Sequence, residues 1–227
     1  MKAVLKLGGS TFDPEPSPTR IDGYAKVIGA FSKKNQLVVV TGGGSMARKY
    51  IAAARQLGAS ETLCDQIGIQ VSRLNARLLV ASLRGLAFPE IPDRLEDLAR
   101  FAASSMVVVM GGLQPGQSTN AVAALAAETI RADLLVNATD VDGVYTADPH
   151  KDSRARKLDE VTPEELETIL AREGFGAGEY ALMDPLALRI IRRSRIPVTI
   201  VDGRDPSSID KALHGKRIGT RLVSVKR

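Results

Sequence analysis

Thr139, Asp140, Asp142, Gly143, Tyr145 and Asp148 gather hydroxyl, carboxylate and aromatic groups around one glycine, directly after the apolar run Leu134–Val136. Such a turn at the carboxyl end of a buried strand suits a nucleotide. Tyr145 can pack against a purine, Asp148 can accept from sugar hydroxyls or an amino group, and Thr139 and Asp140 face the phosphates. An Asp-Gly turn in a solvated loop has a similar composition, so the rest of the chain decides between the two.

Three further strand ends are glycine turns. Ala3–Leu7 leads into Gly8-Gly9-Ser10, Leu37–Thr41 into Gly42-Gly43-Gly44-Ser45, and Met106–Met110 into Gly111-Gly112 and then Gln114-Pro115-Gly116-Gln117-Ser118-Thr119. Glycine lets backbone N–H groups approach phosphate oxygens. A helix opening just after such a turn adds free N–H groups and positive dipole character. Several such turns at one end of a sheet make a polyanion site. Lys6 lies among Val4, Leu5 and Leu7, two residues before the first turn, where its ammonium can reach a phosphate; an edge-strand surface lysine is the other reading. The P-loop pattern is absent. Gly42–Ala47 satisfies a loose dinucleotide fingerprint, but no acidic residue ends a second strand about twenty residues on.

These turns need a scaffold that brings them together. Short β-branched runs alternate with amphipathic segments, which predicts an α/β fold: a three-layer α/β/α arrangement with a largely parallel central sheet. Strands are expected at Ala3–Leu7, Leu37–Thr41, Met106–Met110, Leu134–Asn137 and Pro197–Val201, with Arg221–Val225 as an edge strand. Helices are expected at Arg20–Phe31, Ser45–Leu57, Glu61–Leu83, Ser118–Ile130, Pro163–Glu173, Pro185–Arg193 and Pro206–His214. In the long Glu61–Leu83 segment Ile67, Val71, Leu74 and Leu78 share one helical face, and its length suggests contact with a neighbouring subunit as well as its own core. Thr162 and Glu165 form a capping-box pair before Pro163. Asp13–Pro18 reads as a surface loop and Gly174–Gly178 as a flexible stretch.

With 227 residues, 44% hydrophobic and 25% charged, the chain has the composition of an ordinary globular protein. No apolar stretch reaches membrane-spanning length. One cysteine, Cys64, excludes an intrachain disulfide framework, and a cytoplasmic setting is expected. The net charge of +5 comes with 4% aromatics and no tryptophan. Basic runs lack interleaved rings, which argues against RNA or single-stranded DNA. Arg189, Arg192, Arg193 and Arg195 follow helical spacing and read as a solvated face.

Together, Lys6–Ser10, Gly42–Tyr50, Asp65–Gln70, Gly111–Thr119, Thr139–Pro149 and Met183–Ala187 resemble the amino acid kinase superfamily, in its branch of archaeal-type uridylate (UMP) kinases. The resemblance spans essentially the whole chain. It implies a single domain over residues 1–227, with acceptor binding mainly in 1–130 and ATP binding mainly in 131–227. It implies transfer of the γ-phosphoryl group of ATP to UMP in pyrimidine nucleotide synthesis, and a homohexamer built as a trimer of dimers. On this pattern Gly9, Ser10, Gly44 and Arg48 line the ATP phosphates, while Thr139, Asp140, Tyr145 and Asp148 hold the rest of ATP. Gly43, Asp65 and the turn Leu113, Gln114, Pro115, Gly116, Gln117, Ser118, Thr119 hold UMP, with Asp65 on the ribose hydroxyls. The turn reads Ser118-Thr119-Asn120 where uridylate kinases often have Thr-Thr-Asp.

Lys6 and Asp140 are the expected catalytic pair, Asp140 holding Lys6 in place. A phosphomonoester acceptor is already mostly dianionic at neutral pH, so no general base is required; His150 and His214 are expected at solvated turns. Mg²⁺ is expected to bind through the ATP phosphates and water, with no dedicated protein ligands. The alternatives are a sister kinase for isopentenyl phosphate, a carboxylate or carbamate, and a non-catalytic nucleotide or oxyanion binder.

Overall fold

The computed structural model describes residues 1–147, 154–172 and 182–223. The strands are β1 (Lys2–Leu7), β2 (Gln36–Thr41), β3 (Val107–Met110), β4 (Leu134–Thr139), β5 (Val144–Tyr145), β6 (Lys157–Leu158), β7 (Glu160–Val161), β8 (Val198–Asp202) and β9 (Thr220–Leu222). The helices are α1 (Pro18–Ser32), α2 (Gly44–Gln56), α3 (Glu61–Ser82), α4 (Leu95–Ser104), α5 (Thr119–Ile130), α6 (Pro163–Arg172), α7 (Pro185–Ser194) and α8 (Pro206–Leu213). A single 3₁₀ turn covers Gly9–Phe12.

Seven strands form one sheet in the order β3-β2-β1-β4-β8-β9-β7, and β5 pairs with β6 in a small hairpin. From β3 to β8 every pairing is parallel; β9 runs antiparallel to β8 and β7 parallel to β9. The order reverses at β1, which has β2 on one side and β4 on the other. That is a topological switch point, where open α/β sheets leave a crevice beyond their carboxyl ends. The strands are near-continuous apolar runs because both faces are covered. One face carries Val4, Val38, Val108, Leu135 and Val198 against α4, α5 and α7; the other carries Leu5, Leu37, Val39, Val109 and Val136 against α1, α3 and α8. The expected three-layer architecture is the observed one.

Most expected elements lie within one or two residues of their observed ends. Helix α4 was not expected. It has no side-chain N-cap, since Arg94 occupies that position without a capping bond, yet it buries Leu98 and Phe101. Four short pieces, β5, β6, β7 and the 3₁₀ turn, are too brief for a periodic signal. The expected capping box is present: the Thr162 N–H donates to Glu165 Oε2 at 2.8 Å and the Glu165 N–H to Thr162 Oγ1 at 3.1 Å. Arg192 and Arg193 lie exposed on α7 as expected, paired with Glu164 and Glu128. Residues Asp148, His150, Gly174–Gly178 and the end of the expected Arg221–Val225 strand lie outside the described residues.

Helix α3 corrects the expected face. Val71 is buried, but Leu74 is 59% exposed and Leu78 41%. The inward stripe is instead Cys64, Val71, Ser72, Asn75, Ala76 and Leu79. Its polar members serve the neighbouring glycine turns, whose backbone groups would otherwise be buried without partners.

Candidate active site

The turns after β1, β2, β3 and β4 meet at one end of the sheet because those strands are parallel and in register. The Gly8 N–H donates to the Ala138 carbonyl at 2.9 Å and the Gly42 N–H to the Leu7 carbonyl at 2.9 Å. The first two turns pack backbone on backbone. A Cβ on Gly9 would run into the backbone N and Cα of Gly44. Gly44 also holds a φ of +68°, which an L side chain adopts only with strain. Two chain segments therefore present main-chain polar groups where side chains would stand in the way.

Helix α3 holds the second and third turns from behind. Asn75 Nδ2 donates to the Gly42 carbonyl at 2.8 Å, and Ser72 Oγ accepts from the Gly112 N–H at 2.8 Å. Arg73 donates to the carbonyls of Gly112 at 3.0 Å and Leu113 at 3.3 Å. Farther along, the Gly116 N–H donates to Asp65 Oδ2 at 2.8 Å. Asp65 is thus drawn to the turn with which it was expected to act, and it braces that turn directly. A cleft of about 170 Å³ lies between them, lined by Gly43, Gly44, Asp65, Gly112, Gln117 and Thr119. Gln114 closes the turn by accepting from the Gln117 N–H at 3.2 Å, while Leu113 and Pro115 flank a larger apolar groove beside α3.

On the other side of β1, Thr139 Oγ1 donates to Asp140 Oδ1 at 3.0 Å. Tyr145 sits on the β5–β6 hairpin and donates to Asp142 Oδ1 at 2.9 Å, which pushes its phenol pKa up. Lys157, its cross-strand partner, pairs with Asp142 at 3.2 Å. Ser10 lies in the 3₁₀ turn directly after Gly9.

Lys6 stands between these groups. Burial lowers its pKa to about 8, opposed by the negative charges of Asp140 and then Asp184. Desolvation disfavours the charged ammonium, and the carboxylates restore part of it. The structure gives Lys6 two acidic neighbours where one was expected. Asp140 acts on it through charge.

Asp184 is the more constrained of the two. Its Oδ1 accepts from the N–H groups of Leu186 and Ala187, each at 3.0 Å, and so caps α7. Its Oδ2 accepts from Ser118 Oγ, and Ser118 in turn caps α5 by accepting from the Ala121 N–H at 3.0 Å. Two helix N-termini are thereby locked together beside Lys6. Asp184-Pro185 carries the signal for this role: an N-cap aspartate followed by proline at the first helical position.

Asp13 was expected in a surface loop. Its carboxylate instead caps α2, accepting from the Ser45 N–H at 2.6 Å and Ser45 Oγ at 2.7 Å, with Arg48 at 3.5 Å. Gly43 has no side chain to cap that helix, so the preceding loop supplies the oxygen. Arg48 extends into solvent from the first turns of α2.

Among the described residues, no group of three or more His, Cys, Asp or Glu converges as a metal cage. A cation entering on a polyphosphate needs no such cage.

The chain is similar to known proteins over nearly its whole length. The sequence profile described as the amino acid kinase family matches residues 1–202. A uridylate kinase of Methanosarcina acetivorans is 47% identical over 213 residues, covering 94% of this chain and 91% of that protein. A uridylate kinase of Methanococcoides burtonii is 44% identical over 98% of this chain and all of its own (100%). The crystal structure of uridylate kinase from Archaeoglobus fulgidus superposes with a TM-score of 0.89 at 43% identity, covering 98% of this chain and 100% of that one.

Proposed function

We propose a reaction for this chain, which belongs to the amino acid kinase family: transfer of the γ-phosphoryl group of ATP to UMP, giving ADP and UDP. One observation carries it. The glycine turns after β1 and β2 lie backbone against backbone beside a half-buried lysine at the point where the strand order reverses. Two polyanions can meet there with few intervening side chains. The names carried by the relatives supply the acceptor.

On this reading residues 1–227 act as one domain. Residues 1–130 mainly hold UMP, through Gly43, Asp65 and Leu113–Thr119. Residues 131–227, with Gly9, Ser10, Gly44 and Arg48 from the amino-terminal half, hold ATP. Thr139, Asp140, Tyr145 and Asp148 hold the rest of ATP, Thr139 and Asp140 toward the phosphates and Tyr145 toward the purine. An oxygen of the UMP phosphate attacks the γ-phosphorus. The bond from that phosphorus to the bridging oxygen breaks, and the electron pair leaves on ADP. The attacking oxygen carries no proton that must be removed. Catalysis is then in-line positioning plus stabilisation of charge on the transferred group. Lys6 supplies a localised positive charge, and the glycine turns and the amino end of α5 supply oriented N–H groups. A divalent cation held through the ATP phosphates would share that neutralisation. Asp140 and Asp184 keep Lys6 charged despite its burial.

A homohexamer of three dimers fits the outward face of α3. Leu63, Leu74 and Leu78 are exposed there beside Tyr50 of α2. The apolar groove next to them includes Leu113 and Pro115 of the acceptor turn, so subunit contact would also firm that turn. No helix among the described residues is long and apolar enough to cross a membrane, and a cytoplasmic setting suits a consumer of ATP.

The test is product formation from Mg·ATP with UMP, CMP, dUMP and isopentenyl phosphate offered separately. UDP formed in step with ADP is the expected result. Phosphorylation of isopentenyl phosphate in preference to UMP would assign the chain to a sister activity. ATP bound without turnover of any acceptor would make it a nucleotide binder.

A further inference from the structure

Asn137 is an amide in a place built for hydrocarbon. It is 1% exposed, near the carboxyl end of β4, and pairs in register with Lys6 on β1. Cross-strand partners in register project to the same side of the sheet. The strand flanking Lys6 on its other side offers Val40, and the strand beyond Asn137 offers Ile200. The amide orientation is set by one strong bond: Asn137 Nδ2 donates to the Leu182 carbonyl at 2.9 Å. Its Oδ1 is left buried with no hydrogen-bond partner. A buried acceptor without a donor costs about 1–3 kcal/mol, so its presence calls for a reason. The adjacent group in the same row with protons to give is the Lys6 ammonium.

Asn137 also bears on the second carboxylate. Leu182 lies two residues before Asp184, so the Asn137–Leu182 bond anchors the segment that brings Asp184 to Ser118 and Lys6. The charges acting on Lys6 are Asp140, just after β4, and Asp184 at the start of α7; its in-register neighbours are Asn137 of β4 and Val40 of β2, and Asn120 of α5 shares the Leu182 carbonyl with Asn137. Asp184 is committed to three donors. Asp140 Oδ1 is engaged by Thr139.

In the ligand-free structure Lys6 Nζ does not reach this oxygen. We infer that Asn137 is a positioning residue for phosphoryl transfer, its Oδ1 coming to accept one N–H of the Lys6 ammonium when the nucleotides are bound and aiming the other two at the donor and acceptor phosphates. A neutral acceptor suits this task. It orients the ammonium without cancelling the charge that the transferred group requires, which a carboxylate in contact would do. The inference rests on the reading of Lys6 as the transfer-site cation.

The experiment compares Asn137→Leu, of similar shape without hydrogen-bonding atoms, and Asn137→Asp with the parent enzyme. Readouts are kcat, both KM values, the alkaline limb of kcat/KM against pH, and Tm. For Asn137→Leu, kcat should fall roughly tenfold or more with both KM values within about twofold, as expected for loss of transition-state positioning. Its alkaline limb should move to lower pH, because a bond to the charged form of Lys6 is gone. For Asn137→Asp the limb should move to higher pH by about one unit, because a carboxylate favours the charged lysine, while kcat still falls. Should Asn137→Leu fail to fold, Asn137→Asp carries the test alone. A lower Tm with kcat and the limb both unchanged would reduce Asn137 to a structural role and overturn the inference. Lys6→Met separates the two levels. If it retains full turnover, the reading of Lys6 itself fails. If it is inactive while the Asn137 variants keep the parental limb, only the role of Asn137 fails.

Discussion

Two adjacent rows cross the same face of the sheet. The inner row is Val108, Val38, Val4, Leu135 and Val198, and the next row toward the carboxyl ends is Met110, Val40, Lys6, Asn137 and Ile200. They stand one pleat repeat apart, about 6.6 Å along the strands. Every member of the inner row is buried and apolar. The outer row is apolar at both ends, with an amine and an amide at its centre, where the strand order reverses. The sheet therefore changes from core to reaction site within two residues. Within these two rows, polar side chains are confined to the two strands that border the switch point. The inner row packs as core, and the outer row departs from that packing to hold a half-buried charge.

Replacing Lys6 by Met puts the largest strain on that contrast. We expect kcat to fall by about 10²–10³, the usual cost of losing one charge-stabilising donor. Stability should move the other way. A half-buried, partly desolvated ammonium with its pKa lowered to about 8 is a folding penalty, so Lys6→Met should stabilise the ligand-free protein at pH 7 by about 1–3 kcal/mol in urea unfolding. A Met variant that loses both activity and stability would mean that Lys6 is part of the core. The same shift fixes the pH dependence. The folded state releases the Lys6 proton near pH 8 and the unfolded chain near 10.5. Below about pH 8 the penalty is fully present; as pH rises from about 8 to 10.5 the unfolded chain binds more protons, so the Lys6 contribution to stability increases. Activity runs opposite, and kcat/KM should decline as pH rises through about 8.

Val4→Ala breaks the comparison from the inner row. Removing two buried methyl groups should cost about 2–3 kcal/mol of unfolding free energy, while kcat per folded molecule stays within about twofold of the parent. A selective loss of kcat would mean that the inner row also tunes the site. Asp65→Ala lies across the cleft, where its carboxylate receives the Gly116 N–H. KM for UMP should rise about tenfold, the equivalent of about 1.4 kcal/mol, with a smaller change in kcat; a parental KM would restrict Asp65 to bracing the turn. Thr162→Ala, at the far edge of the sheet, supplies the smallest effect. It should cost about 1 kcal/mol through the lost cap and leave both kinetic constants alone.

Much of this arrangement was legible in the chain. Parallel strands buried on both faces leave unbroken apolar runs, and the glycine turns and Lys6 stood out against them. The capping pair Thr162 and Glu165 was readable because both partners are local. What escaped were roles set by distant segments. Ser72 and Asn75 break the apolar pattern of α3 because they satisfy turns some 33 to 40 residues away in sequence. Leu74 and Leu78, which look like core by spacing, face outward. Asp13 caps a helix that begins 31 residues later, a pairing no local rule specifies. Asn137 looked like the end of a strand; only the register with Lys6 shows that it continues one.

The central claim concerns where the two nucleotides meet. A crystal structure with UMP and a non-hydrolysable ATP analogue tests it directly. Both phosphate chains are expected over the turns after β1 and β2, with Lys6 Nζ within hydrogen-bonding distance of the γ-phosphate. Nucleotides bound elsewhere, or a lysine that stays turned away from both phosphates, would contradict it.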